Sequence, residues 1–255
     1  MSTSLPLTGK VAIVTGSSRS IGAAIALKLA SDGASVVINH VSASSSTLAS
    51  QLVSQIKASG KGDAVVVKSD VSTVEGGQYL LDQTLRAFGK LDVLVLNAGI
   101  MGSRARCSSP KLQHRFFPQV RNTSPPIHHR TDDSTPIEGG RIIFFSSSLT
   151  RATTVLPNAL VYVASKGAVE QMTRVLAKDL GTHSITVNVV SPGPINTDLF
   201  REGKTEQQIQ SIANLNPIKR LGTVDEVAPV VAFLASDGSS WVNGQNIHVN
   251  GGFAV

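Results

Sequence analysis

A tyrosine and a lysine four residues apart have the side chains and the spacing of a candidate proton-transfer site. Tyr162 and Lys166 lie in a helix-like run over residues 159–180, and this spacing places both side chains on one helix face, one turn apart. A phenol with an ordinary pKa of about 10 exchanges its proton poorly near neutral pH. A fixed ammonium beside it stabilises the phenolate and lowers that pKa. The pair therefore predicts a general acid and base, Tyr162, that is tuned by Lys166.

Three consecutive serines, residues 146–148, precede this pair at the end of an apolar run that is typical of a strand. Ligands of open parallel sheets collect at the carboxyl ends of the strands. A serine hydroxyl there can polarise a carbonyl that Tyr162 protonates while a cofactor delivers hydride. A Tyr-x-x-x-Lys pair alone is frequent on solvated helix faces, so the prediction depends on its position directly after a strand that ends in serines.

The elements that must position these residues alternate along the chain. Seven short β-branched runs predict strands over residues 11–15, 35–39, 64–68, 91–96, 141–146, 185–190 and 245–249. Longer runs between them predict helices over residues 21–31, 47–58, 73–88, 159–180 and 224–235. Right-handed crossovers wind such a series into one sheet. We therefore predict an α/β fold, a single domain over residues 1–255 with a doubly wound, Rossmann-type parallel sheet of about seven strands and helices on both faces.

The composition is that of a globular protein with a large core. Of its 255 residues, 41% are apolar and 16% are charged, which excludes disorder of the chain as a whole. The single cysteine, Cys107, cannot form an internal disulfide. The start lacks the pattern of a secretory signal, and no apolar run approaches membrane-spanning length. These features predict a cytoplasmic protein with no membrane partner, and we assign no metal site.

The first predicted strand runs into a glycine-rich turn, residues 15–22, and then into a helix. At Gly16 and Gly22 a side chain would block a pyrophosphate from the backbone N–H groups and the positive end of the helix. A strand-to-helix loop that merely needs glycine has the same composition. The position of this turn after the first strand of a βαβ unit favours dinucleotide binding.

The end of the second predicted strand indicates which dinucleotide binds. A cofactor with a free ribose 2′-hydroxyl requires an acidic acceptor there, but the sequence has Asn39, His40 and Ser42 and no Asp or Glu before Asp63. A 2′-phosphate would meet these donors, and Arg19, without a repelling carboxylate. NADP(H) is therefore favoured over NAD(H). The alternative is that Arg19 is only a solvated loop cation.

The chain resembles the short-chain dehydrogenases/reductases over about residues 5–102 and 138–255. The motifs that carry the resemblance occur in the family's order: Thr15-Gly-x-x-x-x-Ile-Gly22, Asp70-Val71, Asn97-Ala98-Gly99, Ser148, Tyr162-x-x-x-Lys166, Asn188, Pro192-Gly193-Pro194-Ile195-x-Thr197 and Asn243-Gly244-Gln245. The family's serine usually precedes the tyrosine by thirteen residues, which falls on Leu149 here, whereas fourteen falls on Ser148. The longer spacing is similar to that of fungal hydroxynaphthalene and versicolorin-type ketoreductases. The resemblance thus implies NADPH as the cofactor and Ser148, Tyr162 and Lys166 as the catalytic residues.

The resemblance also implies how the cofactor and substrate are held. Asp70 would meet the adenine, Asn97 and Gly99 the adenosine ribose region, and Lys166 the nicotinamide ribose. The full predicted contact set is Gly16, Ser18, Arg19, Ser20, Ile21, Gly22, Asn39, His40, Ser42, Asp70, Val71, Asn97, Ala98, Gly99, Tyr162, Lys166, Pro192, Gly193, Ile195 and Thr197. Residues 197–216 would form a lid over a carbonyl or alcohol substrate, with aromatic polyketide-like ketones as one candidate class. Trp241 is expected to pack near the last strand rather than to touch a ligand.

Residues 103–137 depart from the family pattern. Relatives have a long helix here that packs at a subunit interface, whereas this stretch holds five of the chain's 11 prolines and six Lys or Arg against two Asp. Each interior proline destabilises a helix by about 3 kcal/mol. We therefore expect the long helix to be absent, so that a homo-oligomer would lack its usual interface helix.

Three interpretations of this stretch stay open. It is a translated intron or a shifted reading frame, an insertion that binds an acidic partner or nucleic acid through its arginines, or the mark of a catalytically impaired nucleotide-binding scaffold. Only Phe116 and Phe117 offer base stacking, so nucleic acid is not predicted as a partner. Sequencing the transcript across residues 100–140 decides the first interpretation.

Overall fold

The computed structural model describes residues 4–99, 139–153, 155 and 159–255. The stretch over residues 103–137, with Cys107, lies outside the described residues, and its three interpretations stay open.

Seven strands form a single sheet. Their bounds are β1 Val11–Val14, β2 Ser35–His40, β3 Ala64–Lys68, β4 Val93–Leu96, β5 Arg141–Phe145, β6 Thr186–Pro192 and β7 Asn246–Val249. Each neighbouring pair is parallel, and the order across the sheet is β3-β2-β1-β4-β5-β6-β7. The predicted doubly wound parallel sheet is confirmed. The order reverses between β1 and β4, and ligands of such sheets bind in the crevice at that switch point.

The predicted helices are also confirmed. In the part of the chain that the structure describes, the α-helices are α1 Ser20–Ser31, α2 Ser46–Ser59, α3 Val74–Phe88, α4 Leu160–Asp179, α5 Asp198–Arg201, α6 Glu206–Leu215 and α7 Val224–Ala235. The two short helices α5 and α6 lie within the predicted lid, residues 197–216. Thr205 begins α6 with a capping box that it forms with Gln208.

Both faces of the sheet are buried because helices cover both. Successive residues of a strand point to opposite faces. In β2, Val36 packs in a cluster with Ile25 of α1, whereas Val37 packs in another cluster with Leu80 of α3. This arrangement explains why the strands are almost continuously apolar.

Trp241 lies on the surface of the protein. It was expected to pack near the last strand, but it is 98% exposed, so this expectation is wrong. It lies in the connection between a 3-10 turn, Asp237–Ser239, and β7, where the described elements leave it uncovered. None of the described helices is both long and apolar enough to cross a bilayer.

Candidate active site

The glycine-rich turn between β1 and α1 closes over the switch point. Gly16 has φ +63° and Ser20 has φ +53°, both in the left-handed region. A Cβ on Gly22 would come within 2.6 Å of the Gly16 carbonyl oxygen and 2.7 Å of the Asn97 side-chain nitrogen, so only glycine fits there. Arg19, the N-cap of α1, makes no side-chain capping hydrogen bond. Amides at the start of a helix that have no acceptor within it are suited to bind a pyrophosphate.

Asn97 holds the glycine turn against the end of β4. Its side-chain nitrogen donates to the carbonyl oxygens of Thr15 (2.9 Å) and Gly16 (3.3 Å). The amide of Ala98 donates to the Thr15 hydroxyl at 2.9 Å. These bonds join the ends of β1 and β4, the two strands that flank the crevice. Asn97 and Ala98 therefore fix the conformation of the glycine turn.

Asn39 has a different place from the one predicted. It is 2% exposed, and its side-chain oxygen accepts from the Gly16 amide at 3.1 Å. Its side-chain nitrogen donates to the carbonyl oxygens of Val67 (3.3 Å) and Ser69 (3.1 Å). Both amide hydrogens are therefore used inside the protein, because β2 continues through residue 40 and keeps Asn39 within the sheet. Asn39 fastens the glycine turn and offers no donor to a 2′-phosphate.

The other residues predicted to face a 2′-phosphate differ in exposure. His40 is buried, and its Nδ1 lies 3.0 Å from the Ser42 carbonyl oxygen. The Ser42 hydroxyl is exposed and lies 3.0 Å and 2.8 Å from the hydroxyls of Ser44 and Ser45. Arg19 is exposed at the start of α1. Of the predicted set, Arg19 and Ser42 therefore present side chains to an incoming phosphate.

Asp70 and Val71 follow β3. Asp70 is exposed and accepts a hydrogen bond from the Ser72 amide at 2.9 Å. Hydrogen bonds from Ser72 hold the pKa of the Asp70 carboxyl below its usual range. The Val71 side chain packs against the cluster that contains Ile13 and Leu80, whereas the Asp70 carboxylate is on the surface.

The exit of β6 carries four residues of the predicted cofactor-contact set. Pro192 ends β6, and the Gly193 amide donates to a carbonyl oxygen of β7 at 3.0 Å. Ile195 is buried and forms an isolated bridge with Gly222. The Thr197 hydroxyl caps α5, since it accepts from a backbone amide of that helix at 3.2 Å. This segment therefore leaves the carboxyl edge of the sheet in a defined conformation.

Lys166 connects α4 to the crevice. Its ammonium donates to the Phe145 carbonyl oxygen at 2.8 Å, at the end of β5, and lies 5.7 Å from the centroid of the Tyr162 ring. A Cβ added to Gly99 would lie 3.8 Å from the same nitrogen. Tyr162 and Lys166 of α4 thus lie next to the turn formed by Asn97, Ala98 and Gly99. Burial lowers the pKa of Lys166 from 10.5 to about 8.

The pKa of Tyr162 differs from the prediction. Burial raises it above its ordinary value of 10, and a hydrogen bond with the Ser147 side chain lowers it by less. The expected lowering by Lys166 is therefore wrong for the protein alone. The physical reason is that desolvation opposes the phenolate, while the ammonium faces the Phe145 carbonyl oxygen.

The three serines face different neighbours. Ser148 is 1% exposed and donates to the Ser191 carbonyl oxygen at 3.0 Å, with His248 Nδ1 at 3.4 Å. An interaction with the Ser147 side chain lowers the pKa of Tyr162, whereas no such effect comes from Ser148. Ser148 and not Ser147 was predicted from the sequence because the spacing was taken back from the tyrosine. The position of each serine relative to the end of β5 is the signal that could have pointed to Ser147.

Glu170 is a second residue that the sequence analysis missed. Its Oε1 accepts hydrogen bonds from the hydroxyls of Ser146 and Thr150, each at 2.7 Å. Its signal in the sequence is its position four residues after Lys166, on the same face of α4.

Comparison with known sequences places this arrangement in a family. A family described as Enoyl-(Acyl carrier protein) reductase matches residues 16–254. The chain is 43% identical to a short-chain type dehydrogenase/reductase of Picea abies, covering 96% of this chain and 93% of that one. It is 41% identical to an NADPH-dependent aldehyde reductase-like protein of Arabidopsis thaliana (98% and 96% covered) and 41% identical to versicolorin reductase 1 of Aspergillus parasiticus (99% of each).

Solved structures agree with the fold. A blue fluorescent protein from a metagenomic library, in complex with NADPH, superposes with a TM-score of 0.82 at 35% identity and covers 98% of this chain and 100% of its own. A short-chain dehydrogenase from Burkholderia cenocepacia in complex with NADP has a TM-score of 0.81 at 32% identity (97% and 99% covered). The sheet order and the glycine turn define a Rossmann-type fold. The chain belongs to the short-chain dehydrogenase/reductase family of oxidoreductases.

Proposed function

We propose that this protein is an NADP(H)-dependent carbonyl reductase that transfers hydride between nicotinamide and a ketone or alcohol. The observation that carries the proposal is the meeting of Tyr162, Lys166 and Ser147 at the carboxyl edge of the sheet, beside the Asn97-Ala98-Gly99 turn. Proton-transfer groups beside a dinucleotide crevice are what carbonyl reduction requires.

The described residues suit a dinucleotide with a 2′-phosphate. A Cβ at Gly22 would overlap the Gly16 carbonyl oxygen and the Asn97 side chain, so glycine lets the turn close at the start of α1, where backbone amides would bind a pyrophosphate. Arg19 and Ser42 present a cation and a hydroxyl, and no carboxylate follows β2 before Asp63. When bound, NADPH would supply the hydride. The names of the Arabidopsis relative and of the NADPH-bound structure support this cofactor choice.

Tyr162 acts as the general acid in the direction of reduction. A phenol is protonated near neutral pH, and burial raises the pKa of Tyr162 further, so the hydroxyl has a proton to donate to a substrate carbonyl oxygen as the carbonyl carbon accepts hydride. The O–H bond of the phenol breaks, an O–H bond forms on the product alcohol, and a phenolate is left. The Lys166 ammonium, 5.7 Å from the ring centroid, would offset only part of the desolvation cost of that phenolate until the phenolate takes a proton from solvent.

Ser147 orients the carbonyl in this proposal. An interaction with the Ser147 side chain lowers the pKa of the Tyr162 phenol, so in this proposal a substrate oxygen accepts from both hydroxyls. The Ser148 hydroxyl is directed to the Ser191 carbonyl oxygen and to His248. The prediction that Ser148 polarises the carbonyl has less geometric support than the same role for Ser147.

The substrate class that we propose comes from the sequence and its relatives. The relative named versicolorin reductase 1 supports an aromatic, polyketide-like ketone, and residues 197–216 are proposed as its lid. The cytoplasmic location and a homo-oligomeric state are predictions of the same kind.

Replacement of three hydroxyls tests the chemistry, with NADPH oxidation measured against a panel of aromatic ketones. Tyr162→Phe is expected to lower kcat by about 10²–10⁴-fold while the Kd for NADPH stays unchanged, because only the transferable proton is lost. Ser147→Ala is expected to lower kcat by about 10²-fold or more. Turnover retained in Tyr162→Phe would reject the assignment.

Ser148→Ala is the matched comparison for Ser147→Ala. It removes a hydroxyl of the same type one residue away, so we expect lower stability and a much smaller change in kcat. Equal losses of kcat in the two serine variants would contradict the role given to Ser147. NADPH binding without any turnover in the unaltered protein would instead indicate a nucleotide-binding scaffold.

A further inference from the structure

We propose that Glu170 is a positioning residue that holds Ser147 against Tyr162. Its side chain fastens the serine turn, defined as residues 146–150, to the helix that carries the general acid. This inference rests on the proposed function, because the role of Ser147 is part of that function.

The contacts of Glu170 bracket Ser147 on both sides. One carboxylate oxygen, Oε1, accepts from the Ser146 hydroxyl and from the Thr150 hydroxyl, each at 2.7 Å. The Thr150 hydroxyl also lies 2.9 Å from the Ser147 carbonyl oxygen. Hydroxyl groups that donate to a carboxylate make shorter and stronger bonds than neutral pairs do. Both ends of the serine turn are therefore tied to one atom.

The rest of the serine turn is held from the opposite side. Ser148 is buried and donates to the Ser191 carbonyl oxygen of β6 at 3.0 Å. The Ser147 hydroxyl accepts from the Leu149 amide at 3.3 Å, which leaves its own hydrogen for another partner. Ser146, Ser148 and Thr150 are all bonded to the scaffold, whereas the Ser147 hydroxyl keeps its hydrogen, and an interaction with its side chain lowers the pKa of Tyr162.

Glu170 lies on the same helix as Tyr162, so its hydrogen bonds to the serine turn affect the distance between the proposed catalytic groups. Tyr162, Lys166 and Glu170 are spaced by four residues and lie on one face of the same helix. The phenol and the carboxylate that holds the serine turn thus belong to one rigid element. The separation of the Tyr162 and Ser147 hydroxyls is then set by α4 itself, and displacement of catalytic groups by about 1 Å is enough to lower rates by about 10²-fold.

Three variants test the tether through kcat and the KM for NADPH. Glu170→Ala removes the acceptor and is expected to lower kcat by about 10- to 100-fold, with the KM for NADPH unchanged. Glu170→Gln keeps an oxygen acceptor at the same place and is expected to restore most of kcat. Gln171→Ala, on an exposed part of the same helix, is the control and is expected to behave as the unaltered protein.

The double variant with Ser147→Ala separates positioning from general destabilisation. If Glu170 acts through Ser147, adding Glu170→Ala to Ser147→Ala changes kcat by less than about twofold. If Glu170→Ala lowers kcat as much in the Ser147→Ala protein as it does in the otherwise unaltered protein, the inference is overturned, because Glu170 then acts independently of Ser147.

Hydrogen exchange gives a result that does not depend on turnover. The backbone amides of residues 147–152 are expected to exchange faster in Glu170→Ala than in Glu170→Gln or the unaltered protein. Equal exchange in the three proteins overturns the inference whatever the activity, as does faster exchange with unchanged kcat. If the unaltered protein reduces no ketone, the proposed function fails by that result, and exchange alone decides whether Glu170 holds the turn.

Discussion

Replacement of Lys166 by methionine is expected to inactivate the protein and to make it more stable near neutral pH. Burial lowers the pKa of Lys166 from 10.5 to about 8. A charge kept in that environment near pH 7 destabilises the folded protein by about 3 kcal/mol. Methionine removes the charge but leaves the Phe145 carbonyl oxygen without its donor, which costs about 1–2 kcal/mol. The net gain is about 1–2 kcal/mol, or about 2–8 °C in Tm.

The sign of this difference depends on pH. The folded pKa of Lys166 is lower than the unfolded one, so the cost of burial is fully present below about pH 8 and is lost as the pH rises towards 10.5. Between about pH 7 and about pH 10 the unaltered protein gains roughly 2 kcal/mol relative to Lys166→Met. At about pH 10 the variant is therefore expected to be the less stable protein, by about 1 kcal/mol.

Urea denaturation at the two pH values, with NADPH oxidation assayed in parallel, measures both effects. Lys178→Met is the control, because Lys178 is an exposed lysine on the same helix, α4. We expect the control to show no pH-dependent difference from the unaltered protein. If Lys166→Met were less stable near pH 7 and the difference did not change with pH, the ammonium would not be held at a desolvation cost, and the reasoning would be refuted.

Two further predictions concern the nucleotide site. Gly22→Ala is expected to weaken NADPH binding at least about tenfold and to destabilise the protein by about 1–3 kcal/mol, because its Cβ would lie 2.6 Å from the Gly16 carbonyl oxygen. Fluorescence titration and thermal melts measure both, and Gly77→Ala, whose Cβ meets nothing within 4 Å, is the control that should keep binding intact. Arg19→Ala is expected to raise the Kd for NADPH by about tenfold and to leave that for NADH nearly unchanged. An equal loss for both cofactors would show that Arg19 does not face the 2′-phosphate.

Much of the fold could be predicted because each buried strand shows its burial in its own short run of residues. A strand covered on both faces has almost no polar position, so runs such as residues 35–40 stand out without any knowledge of their neighbours. The strand bounds predicted from such runs agree with the structure to within two residues. The spacing of Tyr162 and Lys166 is also local, since both lie on α4, and the structure does bring the two side chains near each other.

The roles of individual side chains could not be predicted in the same way. Asn39 was expected to face a phosphate, but the continuation of β2 places it inside the sheet with three partners. A lysine one turn from a phenol suggests a lowered phenol pKa, yet burial of Tyr162 has the opposite and larger effect. Desolvation depends on everything packed around a group, and spacing along a helix contains no information about it.

The parallel sheet, the glycine turn and the placing of a phenol and an ammonium on one helix could be read from the amino-acid sequence alone. Those features follow from local patterns, which are complete within a few residues. The different partners of the three adjacent serines, and the bonds by which Glu170 holds their turn to α4, are visible only in the folded protein. The reason is geometric: neighbouring residues in a turn point in different directions, and their partners on α4 and β6 come from parts of the chain some 20 to 43 residues away.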